Sequence, residues 1–247
     1  MHDLQQNKTW IVMQIRIIIL NNVILISGKR GSGVEMEEVR DFPKLESPFV
    51  RKMVDGIYAV TDEVAAGYEW CLGNEDIEVS EKLDGTDVSI IIENGEITEI
   101  WNRLNPVKFF DRTKKFIVES LLNSVEKGYL DGFIRKEGQY FGEVIGPKVN
   151  GNPYELDEHL WIPFGHYVRE HLVYKSWYKY SHDFSSIRDW LLKPVEEGGV
   201  FSLIYRMRHH GKIKKPEGVV FLNTKTGRRA KLRLDMYAEY GGKRHKE

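Results

Sequence analysis

Lys82-Leu83-Asp84-Gly85 places an amine, a carboxylate and a residue without a side chain within four positions, near the end of the strand-like run 77–83. Arg103, Phe141-Gly142-Glu143, Glu217-Gly218-Val219-Val220 and Lys231-Leu232-Arg233 follow in that order. A Lys-x-Asp-Gly string alone is weak evidence, and the ordered set carries the argument. Together these groups suit attack of an amine on a phosphate, with cations drawing charge from the phosphate oxygens and carboxylates holding a hard metal ion. An ordinary lysine, pKa about 10.4, is protonated at pH 7 and must lose that proton before it attacks. Desolvation and neighbouring cations favour the loss.

The spacing predicts which side chains share a face. Alternation along 77–83 puts Ile77, Val79 and Leu83 on one side, so Ser80, Lys82 and Asp84 project from the other and the lysine faces a cleft. Gly85 lets a backbone or ligand approach closely because it has no Cβ. Lys231 and Arg233 alternate with Ala230, Leu232 and Leu234, so both cations point the same way and can clamp an α-phosphate. Glu143 and Glu217 are candidate Mg²⁺ or ribose contacts, since hard oxygen donors suit that ion. Arg103 is a candidate contact for a terminal phosphate. Taken singly, each cluster also fits a solvated surface.

Positioning these groups requires a sheet. Alternation and turn residues predict strands at 77–83, 88–93, 96–101, 140–145, 200–205, 219–223 and 229–234. Asn94-Gly95 is a hairpin signal, and 224–227 has the composition of a second turn. Phe116, Ile117, Leu121, Leu122 and Val125 make one apolar face of a helix over 113–126. A second helix is expected to begin at Ser185 or Ser186 and to include Trp190, Leu191 and Leu192. Hairpins mixed with few helices predict an α+β class with antiparallel sheets flanked by helices around a cleft, not a doubly wound sheet.

The totals bound the problem. Of 247 residues, 41% are apolar and 12% aromatic, enough for a substantial core and unlike a disordered chain. The single cysteine, Cys71, excludes an internal disulfide and a cysteine-built zinc cage, which fits a reducing cytoplasm. Net charge is −1, but the charge is unevenly placed: 35–80 holds 12 acidic and 4 basic residues, and 201–247 holds 13 basic and 4 acidic. The basic end, with Arg206, Arg208, Lys212, Lys214, Lys215, Arg228 and Arg229, suits a polyanionic substrate as well as it suits a solvated surface.

The apolar run 11–26 is interrupted by Gln14, Arg16, Asn21 and Asn22, and is shorter than the roughly 20 residues of a spanning helix. The arginine within it argues against a secretory signal. Met36-Glu37-Glu38-Val39-Arg40 reads as a conventional start, preceded by Gly33-Val34-Glu35, whose codons can contain a ribosome-binding GGAG. Residues 1–35 are therefore expected to be a non-native or disordered extension before a single domain at 36–247. The glycine-rich string 28–33 lacks the closing Gly-Lys-Ser/Thr of a phosphate loop.

With these residues assembled, the chain resembles the covalent nucleotidyltransferase superfamily of nucleic acid ligases and capping enzymes, and within it the RNA ligase domain family of the phage RNA ligase 2 type. Glu81-Lys82-Leu83-Asp84-Gly85-Thr86 is similar to that family's first motif, and the run from Phe141 through Glu143 to Pro147 to its third. Glu217-Gly218-Val219-Val220 is similar to the fourth and Lys231-Leu232-Arg233 to the fifth. The resemblance runs from roughly Glu78 to Tyr237. It implies an ATP-dependent RNA ligase in which Lys82 becomes linked to AMP, AMP passes to a 5′-phosphate end, and a 3′-hydroxyl seals the strand.

By the same resemblance Lys82, Lys231 and Arg233 are catalytic. Glu81, Lys82, Asp84, Gly85, Arg103, Glu143, Phe164, Glu217, Lys231 and Arg233 contact the nucleotide, and Glu143 and Glu217 hold Mg²⁺ or Mn²⁺. Phe164 is expected to stack on adenine, with Trp161 as the alternative. Arg233 departs from the lysine common at that place. With 14 residues after Arg233, no C-terminal OB-type domain is expected, so strand binding falls to the basic patches or to a partner. The implied partners are ATP and RNA (or DNA) strand ends, with no membrane, and a monomer is the default. A minimal DNA ligase, a capping-type guanylyltransferase and a non-catalytic nucleic-acid-binding module of the same fold are the competing readings. The stretch Gly142–Pro147 favours RNA.

Overall fold

The computed structural model describes residues 38–73, 76–93, 96–108, 111–130 and 137–240. The expected extension at 1–35, the start at Met36 and the Asn94-Gly95 turn lie outside them. In chain order the strands are β1 (Phe49–Val54), β2 (Ile57–Val64), β3 (Ile77–Lys82), β4 (Thr86–Glu93), β5 (Glu96–Asn102), β6 (Asn105–Pro106), β7 (Gly138–Ile145), β8 (Leu160–Pro163), β9 (Gly218–Asn223) and β10 (Arg229–Arg233). The helices are α1 (Lys115–Glu126), α2 (His166–His171), α3 (Phe184–Leu192) and α4 (Leu203–Arg208). All strand pairing is antiparallel, so the class is α+β with antiparallel sheets and few helices. No helix among the described residues is long and apolar enough to cross a membrane.

The chain forms two compact units, one from 38–43 with Gly85–Tyr167 and the other from Lys44–Asp84 with 168–240. In the first, five strands run in the order β6-β5-β4-β7-β8, and α1 packs on β8 and β7. Strand β4 is central and buried on both faces. Val88, Ile90 and Ile92 join Ile117, Leu121 and Val125 of α1 in the core, whereas Asp87 and Ser89 turn to the opposite face. Helix α1 begins at Lys115, two residues later than the expected Thr113. Lys114 is not helical, and the Asp111 carboxylate accepts the Thr113 amide at 2.9 Å, closing a turn ahead of the helix.

In the second unit β9 lies between β10 and β3, while β1 and β2 form a separate hairpin. Ile77 and Val79 of β3, Val219 and Phe221 of β9, and Ala230 and Leu232 of β10 meet Trp177, Trp190 and Tyr174 in a second core. Helix α3 is capped earlier than expected, by Asp183, whose carboxylate accepts the Ser186 amide at 2.9 Å. The strand expected at 200–205 is not formed. Ser202 instead caps α4, accepting the Tyr205 amide at 3.1 Å, so a short polar residue between apolar ones opens a helix and not a strand.

Gly142 shows how tightly the first unit is packed. A Cβ there would lie 2.5 Å from the Trp161 indole and 2.6 Å from the Ile162 carbonyl oxygen. The indole cannot step aside, because its N–H donates to the Val88 carbonyl at 2.9 Å. Gly142→Ala is expected to lower stability by about 1–3 kcal/mol, the usual range for overpacking, as measured by urea unfolding. An unchanged midpoint would show that this packing is looser than described.

Candidate active site

Strand register sets up the chemistry of the second unit. Gly218 of β9 pairs with Lys82 on one side and with Arg233 on the other. Val220 pairs likewise with Ser80 and Lys231. Because side chains alternate, Lys82, Lys231 and Arg233 all lie on the face away from the core. Gly218, between Lys82 and Arg233, has no room for a side chain: a Cβ would lie 2.3 Å from the Leu232 carbonyl oxygen.

Glu217 immediately precedes that glycine, and its carboxylate gathers the cluster. The Lys82 ammonium donates to Oε2 at 2.6 Å, and the Arg233 guanidinium lies 3.7 Å from Oε1. Lys82 and Glu217 are 22% and 13% exposed, so the pair is shielded but open to a ligand. Burial pushes the Glu217 carboxyl up, as does Asp84, whereas Lys82 and Arg233 pull it down. Lys231 is pushed below the ordinary lysine range by burial and by the charges of Lys82 and Arg233, with Glu46 and Glu217 opposing. Three cations and three carboxylates, Glu46, Asp84 and Glu217, thus act on one another in this unit.

Asp235 lies outside the motif-like strings of the sequence. It grips Arg233 in a bidentate pair, with Nε to Oδ1 at 2.8 Å and Nη2 to Oδ2 at 2.9 Å, which fixes the plane of the guanidinium. Its place two residues after Arg233 was the available signal.

No family model matches the chain, and no curated protein sequence matches it. Among solved structures it is similar to the Naegleria gruberi RNA ligase. A mutant of that protein without ligand gives a TM-score of 0.48 at 16% identity over 84% of this chain and 61% of that one. A mutant with AMP and Mn gives 0.42 at 15% identity over 85% and 61%, and one with ATP and Mn gives 0.42 at 15% over 89% and 70%. The chain spans 61% of the length of the first of these.

The remaining expected residues divide between the units. Glu81 turns to the core side of β3, where it is fully buried. Its carboxylate accepts the Ser202 hydroxyl at 2.5 Å and the Leu203 and Ile204 amides at 2.7 and 3.0 Å. It is an anchor for the start of α4, and burial raises it to about 7 despite those three bonds.

In the first unit Gly85 lies against β7, where a Cβ would meet Glu143 Cγ at 2.6 Å, and its carbonyl accepts Asn150 Nδ2 at 2.9 Å. Glu143 pairs in register with Asp87. Arg103 has left-handed backbone geometry, φ 56°, and donates to Asp41 at 3.3 Å. Burial, reinforced by Asp41, lifts Asp87 to about 6 against the pull of Arg103. Phe164 stands beside Phe42, with ring centroids 4.9 Å apart, and Phe42 also meets Phe141 at 5.4 Å. Trp161 is a fully buried core residue. Phe42, Asp41 and Asp87 escaped notice in the sequence because none stands in a motif-like string.

The raised Glu81 carboxyl gives a pH signature. An unfolded glutamate ionises near 4.5, whereas this one holds its proton to about 7 when folded. Its contribution therefore weakens the fold as pH rises from about 4.5 to about 7. Glu81→Gln keeps an oxygen to accept the amides and can donate to Ser202, so its stability advantage over the parent is expected to grow across that window in urea unfolding. A constant difference at all pH values would contradict the assignment.

Proposed function

We propose that this chain is an ATP-dependent RNA ligase with a nucleotidyltransferase fold, acting through a lysyl-AMP intermediate. The observation that carries this reading is the Lys82 amine 2.6 Å from Glu217, on the same sheet face as Lys231 and Arg233. The sequence motifs resembling that family contribute every one of these residues.

In the first step the Lys82 nitrogen attacks the α-phosphorus of ATP. A P–N bond forms, the bond between α-phosphorus and bridging oxygen breaks, and pyrophosphate leaves. The amine must first give up a proton, and the Glu217 carboxylate, whose affinity for protons is increased by burial, is the acceptor at hydrogen-bond distance. Arg233, held flat by Asp235, and Lys231 take up charge on the phosphate oxygens as the bond to the leaving group breaks. Next, a 5′-phosphate oxygen attacks the lysyl-bound phosphorus and frees the amine. A 3′-hydroxyl then displaces AMP and joins the strand.

Glu217 and Asp84 supply the hard oxygen donors that suit Mg²⁺ or Mn²⁺, and Glu143 has the same donor chemistry. Such an ion, when bound, withdraws charge from phosphate oxygens. Glu143 is assigned a nucleotide contact on its motif position, and Arg103 and Phe164 are carried over as the candidates expected from the sequence. Glu81 acts indirectly, by holding the strand that carries Lys82.

Incubation with α-labelled ATP and Mg²⁺ tests the reading. The protein is expected to take up label, Lys82→Ala to take up none, and Asp235→Ala, which frees the guanidinium to rotate, to label at least about tenfold more slowly. Label retained in Lys82→Ala, or none on the parent protein, would defeat it.

A further inference from the structure

The segment 201–215 contains Arg206, Arg208, Lys212, Lys214 and Lys215, two histidines and no acidic residue. Its local structure displays this charge. Helix α4 ends with Arg206 and Arg208 in its last turn, where cations complement the carbonyl end. His210 and Gly211 then adopt left-handed backbone geometry, φ 51° and 89°, and the Gly211 amide donates to the Arg206 carbonyl at 3.0 Å. The chain reverses sharply and brings Lys212 and Lys214 back beside the helix.

Several of these cations are held in place. Arg206 lies 5.0 Å from the Phe201 ring centre and Lys214 5.7 Å from that of Tyr205, whose ring also meets His209 at 4.2 Å. Among the described residues, neither Arg206 nor Lys212 has an ion-pair partner, and both are exposed. Lys215 instead turns inward to the Leu191 and Lys193 carbonyls and anchors the end of the segment.

One end of the segment is tied to the residue before Lys82, and the other leads into the partner of Lys82. Ser202 and the first amides of α4 bind Glu81, the residue before Lys82. Two residues after Lys215 comes Glu217, which pairs with Lys82 itself. The Ser202 amide and Lys214 carbonyl close the base of the excursion at 2.7 Å. A cationic projection is thus rooted at the residue before Lys82 and beside the partner of Lys82, within a single unit.

We propose that this projection, centred on Arg206, Lys212 and Lys214, is the docking surface for the phosphate backbone of a single-stranded RNA whose end is delivered to Lys82. This rests on the ligase reading for the fate of the end, but not for the binding. The cations cover the aromatic faces, so recognition is of phosphates and not by base stacking, and sequence preference is expected to be slight.

The test is the double variant Arg206→Ala/Lys212→Ala against a control, Lys44→Ala/Lys52→Ala, which removes equal charge from residues already paired with Glu46 and Glu63. Melting temperature confirms that each folds. Fluorescence anisotropy with a 5′-phosphorylated, dye-labelled RNA strand is expected to show binding weakened about tenfold or more in the first variant. Its salt dependence should be shallower by about 1.4 logarithmic units per decade, the counterion release of two phosphates that the variant no longer neutralises. The control should stay within about twofold.

Equal binding by both variants, or no RNA binding by the parent protein, overturns the proposal. So does patch-dependent sedimentation with phosphatidylserine vesicles in place of RNA, since exposed Met207 and Ile213 would then be serving a membrane surface. Patch-dependent RNA binding by a protein that takes no AMP label would uphold this surface and end the ligase reading. AMP labelling without patch dependence would do the reverse.

Discussion

A carboxylate at the head of β9 holds the amine on which the proposed chemistry turns. The Lys82–Glu217 pair spans 135 positions of sequence, and it forms because β3 and β9 pair antiparallel with Lys82 opposite Gly218. A one-residue slip would turn Lys82 into the core and bring Glu81 out, placing an unmatched cation among Trp177, Phe221 and Leu232. The apolar face of the sheet therefore enforces the register, and the register brings amine and carboxylate together.

From that constraint the rest of the unit follows. Burial makes Glu217 a better proton acceptor, while Asp235 orients Arg233 and Gly218 clears the space between Arg233 and Lys82. On the other side of β3 the same alternation sends Glu81 inward, where it is spent on the start of α4. Adjacent residues thus divide two tasks: Lys82 meets Glu217 on one face, and Glu81 fastens the strand to the basic projection on the other.

Much of this was legible in the sequence because it obeys short-range rules. Period-two alternation located β3, β4, β5, β7, β9 and β10, and the spacing of Lys231 and Arg233 put both on one face. What escaped depended on contacts distant in sequence or on competing local signals. The hairpin β1–β2 bears charged residues along both strands, which masks its periodicity. The run 200–205 has strand-like alternation, but a serine cap and a carboxylate 121 positions away favour a helix. Phe42 meets Phe164 only because the segment 38–43 folds with the first unit, a pairing that no local pattern announces.

In the proposed reaction the Lys82 nitrogen becomes covalently bonded to the phosphorus of AMP. Proteolysis of the protein after exposure to ATP and Mg²⁺, followed by tandem mass spectrometry under conditions that preserve a P–N bond, addresses it most directly. One adenylylated peptide is expected, with the modification on Lys82. An adduct on any other side chain, or unmodified Lys82 in a protein that nonetheless joins RNA ends, would contradict it.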